Sequence, residues 1–190
     1  MAESKSLDRY KREGETVIIE IGVKNSRQLF NERDPAPFRE RDLDPQFVIY
    51  IVSAVEEFSV RTKMKIRILT ADVNDLKQEN SVIICEAIQT YFQYESKLAQ
   101  SKLQKRHRTA RYFFAIGLLT LFGCLSVAQF MSTVKSVPAV AKIVSEGFVI
   151  IGWVAMWRPL EDLLYSWWPI REQRLYFDKL ATMEVEVQTS

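Results

Sequence analysis

The most constraining feature of the sequence is an uninterrupted apolar stretch in its second half. Residues 112–131 read YFFAIGLLTLFGCLSVAQFM and contain no charged side chain. A helix of about 20 residues spans the ~30 Å hydrocarbon core of a bilayer. A helix buried in a soluble domain seldom stays apolar on every face over this length. We therefore predict a first transmembrane helix over residues 112–131.

A second apolar stretch follows closely. Residues 139–157 read AVAKIVSEGFVIIGWVAMW and carry Lys142 and Glu146 towards one end, where a long side chain can reach the membrane surface. The connecting residues 132–138 are too few for a domain, and Pro138 suits a turn. The two stretches are therefore predicted to form an antiparallel transmembrane hairpin with residues 132–138 as an external turn.

Basic residues are distributed unevenly around this hairpin. The short turn region offers only Lys135 and Lys142, whereas the two outer flanks are basic. The flanking residues are Lys97, Lys102, Lys105, Arg106, Arg108 and Arg111 before the first stretch, and Arg158, Arg171 and Arg174 after the second. Cytoplasmic flanks of membrane helices are enriched in Lys and Arg, so both termini are predicted to be cytoplasmic. The predicted contacts to lipid headgroups are Lys102, Lys105, Arg106, Arg108 and Arg111.

The residues after the second stretch allow two interpretations. Arg158, Glu161 and Asp162 are spaced to pair on one helix face. In the first interpretation, Pro159 opens a new interfacial helix and these residues form a charge cluster at the membrane surface. In the second, the helix continues to Trp168 and draws them into the membrane, where Glu146, Arg158, Glu161 and Asp162 are candidate intramembrane polar residues on an ion or proton path.

The first half of the chain has the pattern of a small α+β domain. Residues 16–23 are apolar and β-branched, residues 64–70 alternate apolar and basic side chains, and Asp44-Pro45 opens a helix between them. Residues 182–188 also alternate, so they are predicted to add a strand to the same sheet. The expected architecture is a cytosolic β-α-β(-β) domain of residues 1–80, a basic juxtamembrane helix over 81–111, the hairpin, and an interfacial helix and cytosolic tail over 158–190.

A charged loop separates the first predicted strand from the helix. Residues 31–44 read NERDPAPFRERDLD and repeat Glu-Arg-Asp on both sides of a proline-rich centre. Such a loop is typical of a solvated surface held by local ion pairs. It is also a candidate partner-binding loop, with Phe38 as the apolar anchor and Arg33, Arg39 and Arg41 as cationic contacts. The paired carboxylates Glu40 and Asp42 have no nearby histidine, so no catalytic residue is assigned there.

Cofactor and nucleic-acid chemistry have little support in the sequence. His107 is the only histidine, and the two cysteines, Cys85 and Cys124, have no neighbour at metal-ligand spacing. The formal charge is only +2, unlike that of a strongly basic nucleic-acid-binding module. No phosphate-binding glycine loop is present. The sequence therefore predicts no cofactor, no metal site and no nucleic-acid partner.

Two segments carry a resemblance to a known family. Residues 29–44, LFNERDPAPFRERDLD, and residues 151–170, IGWVAMWRPLEDLLYSWWPI, together resemble a family of small bacterial membrane proteins. That family has a cytosolic amino-terminal domain, two transmembrane helices and a short tail. The resemblance covers nearly the whole chain and implies location in a bacterial inner membrane. The family has no known activity, so the resemblance implies no functional residues.

Three functional hypotheses remain. The first is a non-enzymatic inner-membrane protein that forms a homo-oligomer or scaffold, and whose cytosolic domain binds a cytosolic or membrane protein partner. Small residues in both apolar stretches favour association of subunits within the bilayer. The alternative is a homo-oligomeric ion channel or transport component with Glu146, Arg158 and Glu161 along its path. A second alternative is a membrane-anchored enzyme.

Overall fold

The chain folds into two compact units. The computed structural model describes residues 9–37, 40–133 and 138–189. The first unit comprises Met1–Ala99 and Glu172–Ser190, and the second comprises Gln100–Arg171. The helices are α1, Pro45–Glu56; α2, Gln78–Ser132; α3, Pro138–Leu164; and α4, Trp168–Thr182, with a short 3-10 turn at Ser26–Leu29.

The first unit is α+β and contains a four-stranded mixed sheet. The strands are β1, Lys11–Glu13; β2, Thr16–Val23; β3, Met64–Thr70; and β4, Glu184–Thr189, in the spatial order β1-β2-β3-β4. The first two strands are antiparallel, whereas β2, β3 and β4 run parallel to one another. The alternating C-terminal segment therefore adds a strand to this sheet, as predicted, and its neighbour in the sheet is β3.

One face of the sheet carries the hydrophobic core of this unit. Val17 and Ile19 of β2 lie opposite Met64 and Ile66 of β3, and all four side chains are buried. Three helices supply the rest of the core. Helix α1 contributes Phe47, Ile51, Ala54 and Val55, and α2 contributes Ile84, Ala87, Ile88 and Phe92. Helix α4 contributes Phe177 and Leu180. The Asp44 carboxylate caps α1 by accepting the backbone N–H groups of Gln46 and Phe47.

The other face of the sheet is covered by paired charges. Lys65 and Arg67 project from β3, and both bind the carboxylates of Glu13 on β1 and Glu186 on β4. The Lys65 Nζ–Glu13 Oε2 distance is 2.6 Å, and hydrogen bonding to Lys65 holds the pKa of Glu13 below its usual range. The basic side chains of the alternating pattern in residues 64–70 are thus largely buried beneath a layer of ion pairs.

Strand β1 has no counterpart among the predicted elements. Its three residues are charged and lack β-forming character. Gly14, at φ 61°, provides the left-handed conformation that turns the chain from β1 into β2. The β-hairpin of β1 and β2 therefore depends on Gly14 and on the ion pairs that β1 makes with its neighbouring strands.

In the second unit, part of α2 packs antiparallel against α3. A β-carbon added at Gly152 would lie 3.0 Å from Leu121 Cδ1 and 3.1 Å from Cys124 Cβ. A β-carbon added at Gly117 would lie 3.0 Å from Pro159 Cγ. A larger side chain would crowd the facing helix at either position, so the two helices approach closely at Gly117 and Gly152. Residues 134–137 of the predicted external turn lie outside the described residues.

Helix α3 contains Pro159 instead of ending before it. Neither predicted helix boundary is therefore correct: α3 passes through Pro159 and ends at Leu164, before Trp168, where α4 begins. The proline ring packs beside Gly117, where the absence of a side chain leaves room for it. Proline in such apolar helices is tolerated when neighbouring groups accommodate the altered backbone. The chain breaks instead at residues 165–167, and Pro169 occupies the first turn of α4, where no N–H is needed.

Candidate functional site

Helix pair α2–α3 has an exposed apolar surface. Each of the two predicted spans lies in a helix long and apolar enough to cross a membrane, and only 11% of the most apolar window is buried in either case. Leu119 is 72% exposed and Trp153 is 64% exposed. Other large exposed side chains on these helices are Phe113, Ile116, Phe122, Phe130, Ile143, Ile150, Ile151, Val154 and Trp157. An apolar surface of this extent indicates contact with lipid or with other protein.

A charged cluster lies at one end of this surface. Arg106 on α2 donates to Asp162 on α3, with 3.1 Å between Nη2 and Oδ1. Arg158 lies 3.5 Å from a Glu161 oxygen and 3.8 Å from the second Asp162 oxygen. The Ser166 hydroxyl also donates to Asp162, at 2.6 Å. The three residues paired by helical spacing in the sequence are therefore brought together, and Arg106 joins them from the other helix.

Aromatic side chains adjoin this charged cluster. The Trp167 ring lies 5.8 Å from the His107 ring and 5.6 Å from the Trp168 ring, measured between centroids. The Arg171 guanidinium lies over the Trp167 ring at 5.7 Å, a cation–π contact. Tyr112 and Tyr165 are exposed nearby in sequence. Amphipathic rings next to charged groups are typical of the membrane–water interface.

The remaining predicted residues of this unit are not part of the cluster. Glu146 is exposed on α3, twelve residues before Arg158, and has no ion pair within the described residues. The four predicted headgroup contacts other than Arg106 are exposed on α2 and likewise have no ion pair within residues 9–37, 40–133 and 138–189. They are Lys102, Lys105, Arg108 and Arg111.

The described residues of the loop, 31–37 and 40–44, are held together by their own polar groups. Asp34, from the first Glu-Arg-Asp repeat, accepts the backbone N–H of Asp42, from the second, at 2.7 Å. It also accepts the N–H of Ala36 at 2.9 Å, and these two hydrogen bonds lower the pKa of Asp34. Phe30 and Leu43 form a β-bridge at the base of the loop, and both side chains are buried.

The arginines of this loop differ in their surroundings. Arg33 is exposed, whereas Arg41 donates to the carbonyl oxygen of Ala36 at 3.3 Å and is half-buried. Phe38 and Arg39 lie outside the described residues. Of the four predicted contacts, Arg33 is therefore available at the surface, and Arg41 helps to hold the loop together.

A polar cavity was not anticipated from the sequence. It has a volume of about 560 Å³ and lies beside the segments that follow β2 and β3; its lining includes Asn25, Ser26, Asp72 and Asp75. Ligand sites in parallel sheets are commonly found at the carboxyl ends of the strands. The sequence feature that could have indicated this cavity is the presence of a polar segment directly after each of two predicted strands.

The carboxylates that line this cavity mainly accept hydrogen bonds from neighbouring loop residues. Asp75 is 6% exposed and accepts hydrogen bonds from Ser26 N, Ser26 Oγ and Thr70 Oγ at 2.7, 2.7 and 2.9 Å. Asp72 accepts the N–H of Asn74 within its own loop. Within the described part of the chain, no group of three or more His, Cys, Asp or Glu side chains is placed to hold a metal ion. The carboxylates of this cavity are thus used to tie loops together.

Comparisons with known proteins found no match. No protein-family model, curated protein or solved structure matches it significantly. The resemblance to small bacterial membrane proteins therefore stays a prediction.

Proposed function

We propose that this is a non-enzymatic integral membrane protein, in which the α2–α3 hairpin spans the bilayer and the α+β unit binds a partner at the cytoplasmic surface. The observation that carries the proposal is the exposed apolar surface of the two helices, on which large leucine, isoleucine, phenylalanine and tryptophan side chains are exposed. In water such a surface would cause aggregation, whereas in lipid it is stable.

The charge distribution supports a cytoplasmic location for both termini. The basic residues before the first span and after the second outnumber those of the short connection, where only Lys135 and Lys142 occur. The positive-inside rule applies to short flanks of this kind. The α+β unit, which contains segments from both sides of the hairpin, would then lie entirely in the cytoplasm of a bacterial cell.

The loop over residues 31–44 is the contact surface we propose for a protein partner. The hydrogen bonds of Asp34 to Ala36 and Asp42 hold the described residues of the loop in place before binding, which reduces the entropy lost on association. Arg33 is exposed and its side chain has no hydrogen bond or ion pair with the described residues, so its guanidinium is free to bind a carboxylate. Subunit association through the exposed helix faces would produce the homo-oligomeric scaffold.

The channel alternative has less support. Arg106 and Arg158 are paired with Glu161 and Asp162, so the four charges balance, and Glu146 lies too far along α3 to join them. A conducting path in a single hairpin therefore lacks a continuous polar lining within the described residues. Ion flux through vesicles containing the purified protein, if abolished by Arg158→Glu with assembly unchanged, would favour the channel over the scaffold.

Membrane insertion and orientation are tested by cysteine labelling of the full chain. Single-cysteine variants Thr133→Cys and Ser59→Cys are made in a chain in which Cys85 and Cys124 are replaced by serine. We expect the protein to resist alkaline carbonate extraction. A membrane-impermeant maleimide is expected to label position 133 in intact spheroplasts, and position 59 only after lysis.

The outcomes of this experiment are distinct. Recovery of the parent chain in the soluble fraction would contradict membrane insertion. Labelling of position 59 in intact spheroplasts would show the opposite orientation, with insertion retained. Partner binding is tested separately by crosslinking in cells, where Arg33→Glu is expected to abolish capture of the partner and Arg61→Glu, an exposed change elsewhere, is not.

A further inference from the structure

We propose that α2 carries a binding surface for anionic phospholipid headgroups, formed by Lys102, Lys105, Arg108 and Arg111. This inference rests on the membrane insertion proposed above and names the lipid class that the hairpin prefers. The surface is called the basic stripe below. Its members follow one another at intervals of three residues, so each is a neighbour of the next on the helix surface.

The basic stripe differs from the other cations near it, because those cations are paired with carboxylates. Arg106 is bound to Asp162, and Arg158 is bound to Glu161 and Asp162, so their charges are already compensated by the protein. Each of the four stripe residues is exposed and has no carboxylate partner in the described part of the chain. Four uncompensated positive charges on one short helical segment require anions from outside the chain.

The position of the basic stripe favours lipid over a soluble anion. The stripe ends at Arg111, and the first span begins with Tyr112, an exposed aromatic residue of the type found at the headgroup level. At 1.5 Å per residue, Arg111 and Arg108 lie ~1.5 and ~6 Å from Tyr112 along the helix axis, and Lys105 and Lys102 lie ~10 and ~15 Å from it.

This spacing predicts a gradient along the stripe. The headgroup layer extends ~5–8 Å beyond the hydrocarbon core, and the surface potential decays over a Debye length of ~8 Å at physiological salt. The inner pair, Arg108 and Arg111, therefore lies within the layer of anionic phosphates. The outer pair, Lys102 and Lys105, lies at or beyond its edge. A water-soluble acidic partner would instead contact the outer pair at least as strongly.

The test measures which lipids the full chain retains. The protein is inserted into vesicles of phosphatidylcholine mixed with phosphatidylglycerol and extracted in mild detergent, and the retained lipids are quantified by mass spectrometry. We expect the parent protein to be enriched in phosphatidylglycerol. Arg108→Gln with Arg111→Gln is expected to lower the enrichment by about fivefold per arginine, whereas Lys102→Gln with Lys105→Gln lowers it much less.

Two controls make the result specific. Arg27→Gln with Arg61→Gln removes the same charge from exposed positions of the α+β unit and is expected to leave the enrichment unchanged. Arg108→Lys with Arg111→Lys keeps the positive charge and is expected to retain most of the enrichment in phosphatidylglycerol. Carbonate extraction of every variant, performed on the same vesicles, reports insertion independently of lipid preference.

Each outcome decides between the alternatives. If the parent protein inserts but shows no preference for phosphatidylglycerol, the lipid inference is overturned while membrane insertion stands. If it does not insert, both proposals fail. An equal loss with the Arg27/Arg61 control would show a non-specific charge effect, and a larger loss with the outer pair would indicate a soluble anionic partner. Either result overturns the proposal.

Discussion

Asp75 accepts two hydrogen bonds from Ser26, a residue 49 positions earlier in the chain. One comes from the backbone N–H and one from the hydroxyl, both at 2.7 Å, and Thr70 Oγ adds a third at 2.9 Å. The carboxylate thereby joins the segment after β2 to the segment after β3. Since a buried donor without a partner is costly, this side chain is expected to be important for the stability of the unit.

Asp75→Ala is therefore predicted to lower the free energy of unfolding of the α+β unit by about 2–4 kcal/mol. The loss arises because Ser26 and Thr70 would keep buried donors with no acceptor. The full chain is unfolded with urea in detergent micelles, and the labelling rate of Cys85 is measured as the readout of unfolding. This thiol is half-buried beside β4 and donates to the carbonyl oxygen of Val185.

Asp72→Ala provides the matched control for this prediction. Asp72 belongs to the same loop, but its carboxylate accepts a backbone N–H within that loop, from Asn74. Its replacement is expected to cost less than about 1 kcal/mol. If both variants unfold at the same urea concentration, the link from Asp75 to Ser26 does not stabilise the fold.

The interaction between Asp75 and Ser26 also shows where inference from the sequence stops. Strands β2 and β3 were predictable because their apolar patterns are local, and the N-cap of α1 because Asp44-Pro45 is a local signal. A carboxylate that bridges two loops has no local pattern. Its role depends on the parallel pairing of the strands, which brings the ends of β2 and β3 to one edge of the sheet.

The charged cluster at the end of the hairpin illustrates the same limit. The pairing of Arg158 with Glu161 and Asp162 was predictable, because helical spacing alone places them together. The contact of Asp162 with Arg106 was not, since it depends on the register of α3 against α2. That register is set by close approach at Gly117 and Gly152, which the sequence shows only as scattered small residues.

Asp34 is predicted to control the order of the proposed partner-binding loop. Its carboxylate accepts N–H groups from Ala36 and Asp42, so Asp34→Ala would leave both without this acceptor. We expect trypsin to cleave after Arg33 or Arg41 several times faster in this variant, because a protease requires a locally unfolded segment. Cleavage is followed by mass spectrometry of the full chain in detergent.

Glu40→Ala is the control for the loop. Glu40 belongs to the second Glu-Arg-Asp repeat, is exposed, and has no side-chain hydrogen bond or ion pair within the described residues. Its replacement is expected to leave cleavage unchanged. Equal acceleration in both variants would mean that net charge, and not the hydrogen bonds of Asp34, determines protease access.

The ion-pair layer on the sheet is predicted to make the α+β unit sensitive to acid. Contact with Lys65 and Arg67 lowers the pKa of Glu13, so the carboxylate stabilises the fold at neutral pH. This contribution is lost as the pH falls below about 4.3, the usual value for glutamate, through the lowered value in the folded state. We expect amide hydrogen exchange in β3, corrected for intrinsic rates, to lose protection over this range.

Replacement of the carboxylate tests this explanation. Glu13→Gln is expected to reduce protection of β3 at neutral pH and to weaken its dependence on acid. Glu15→Gln is the control, because the ion pair of Glu15 within the described residues is with the exposed Lys63, at 3.6 Å. An unchanged acid response in Glu13→Gln would assign the pH dependence to other carboxylates.

The packing of the hairpin predicts a new disulfide. A β-carbon at Gly152 would lie 3.1 Å from Cys124 Cβ, close to the 3.5–4.5 Å separation of disulfide-bonded pairs. Gly152→Cys, with Cys85 replaced by serine, is therefore expected to form an intrachain disulfide with Cys124 on mild oxidation, detected as blocked maleimide labelling at monomer mobility. Gly147→Cys is the control, since its β-carbon would meet no described atom within 4 Å. Crosslinking only between chains would contradict the packing of α2 against α3.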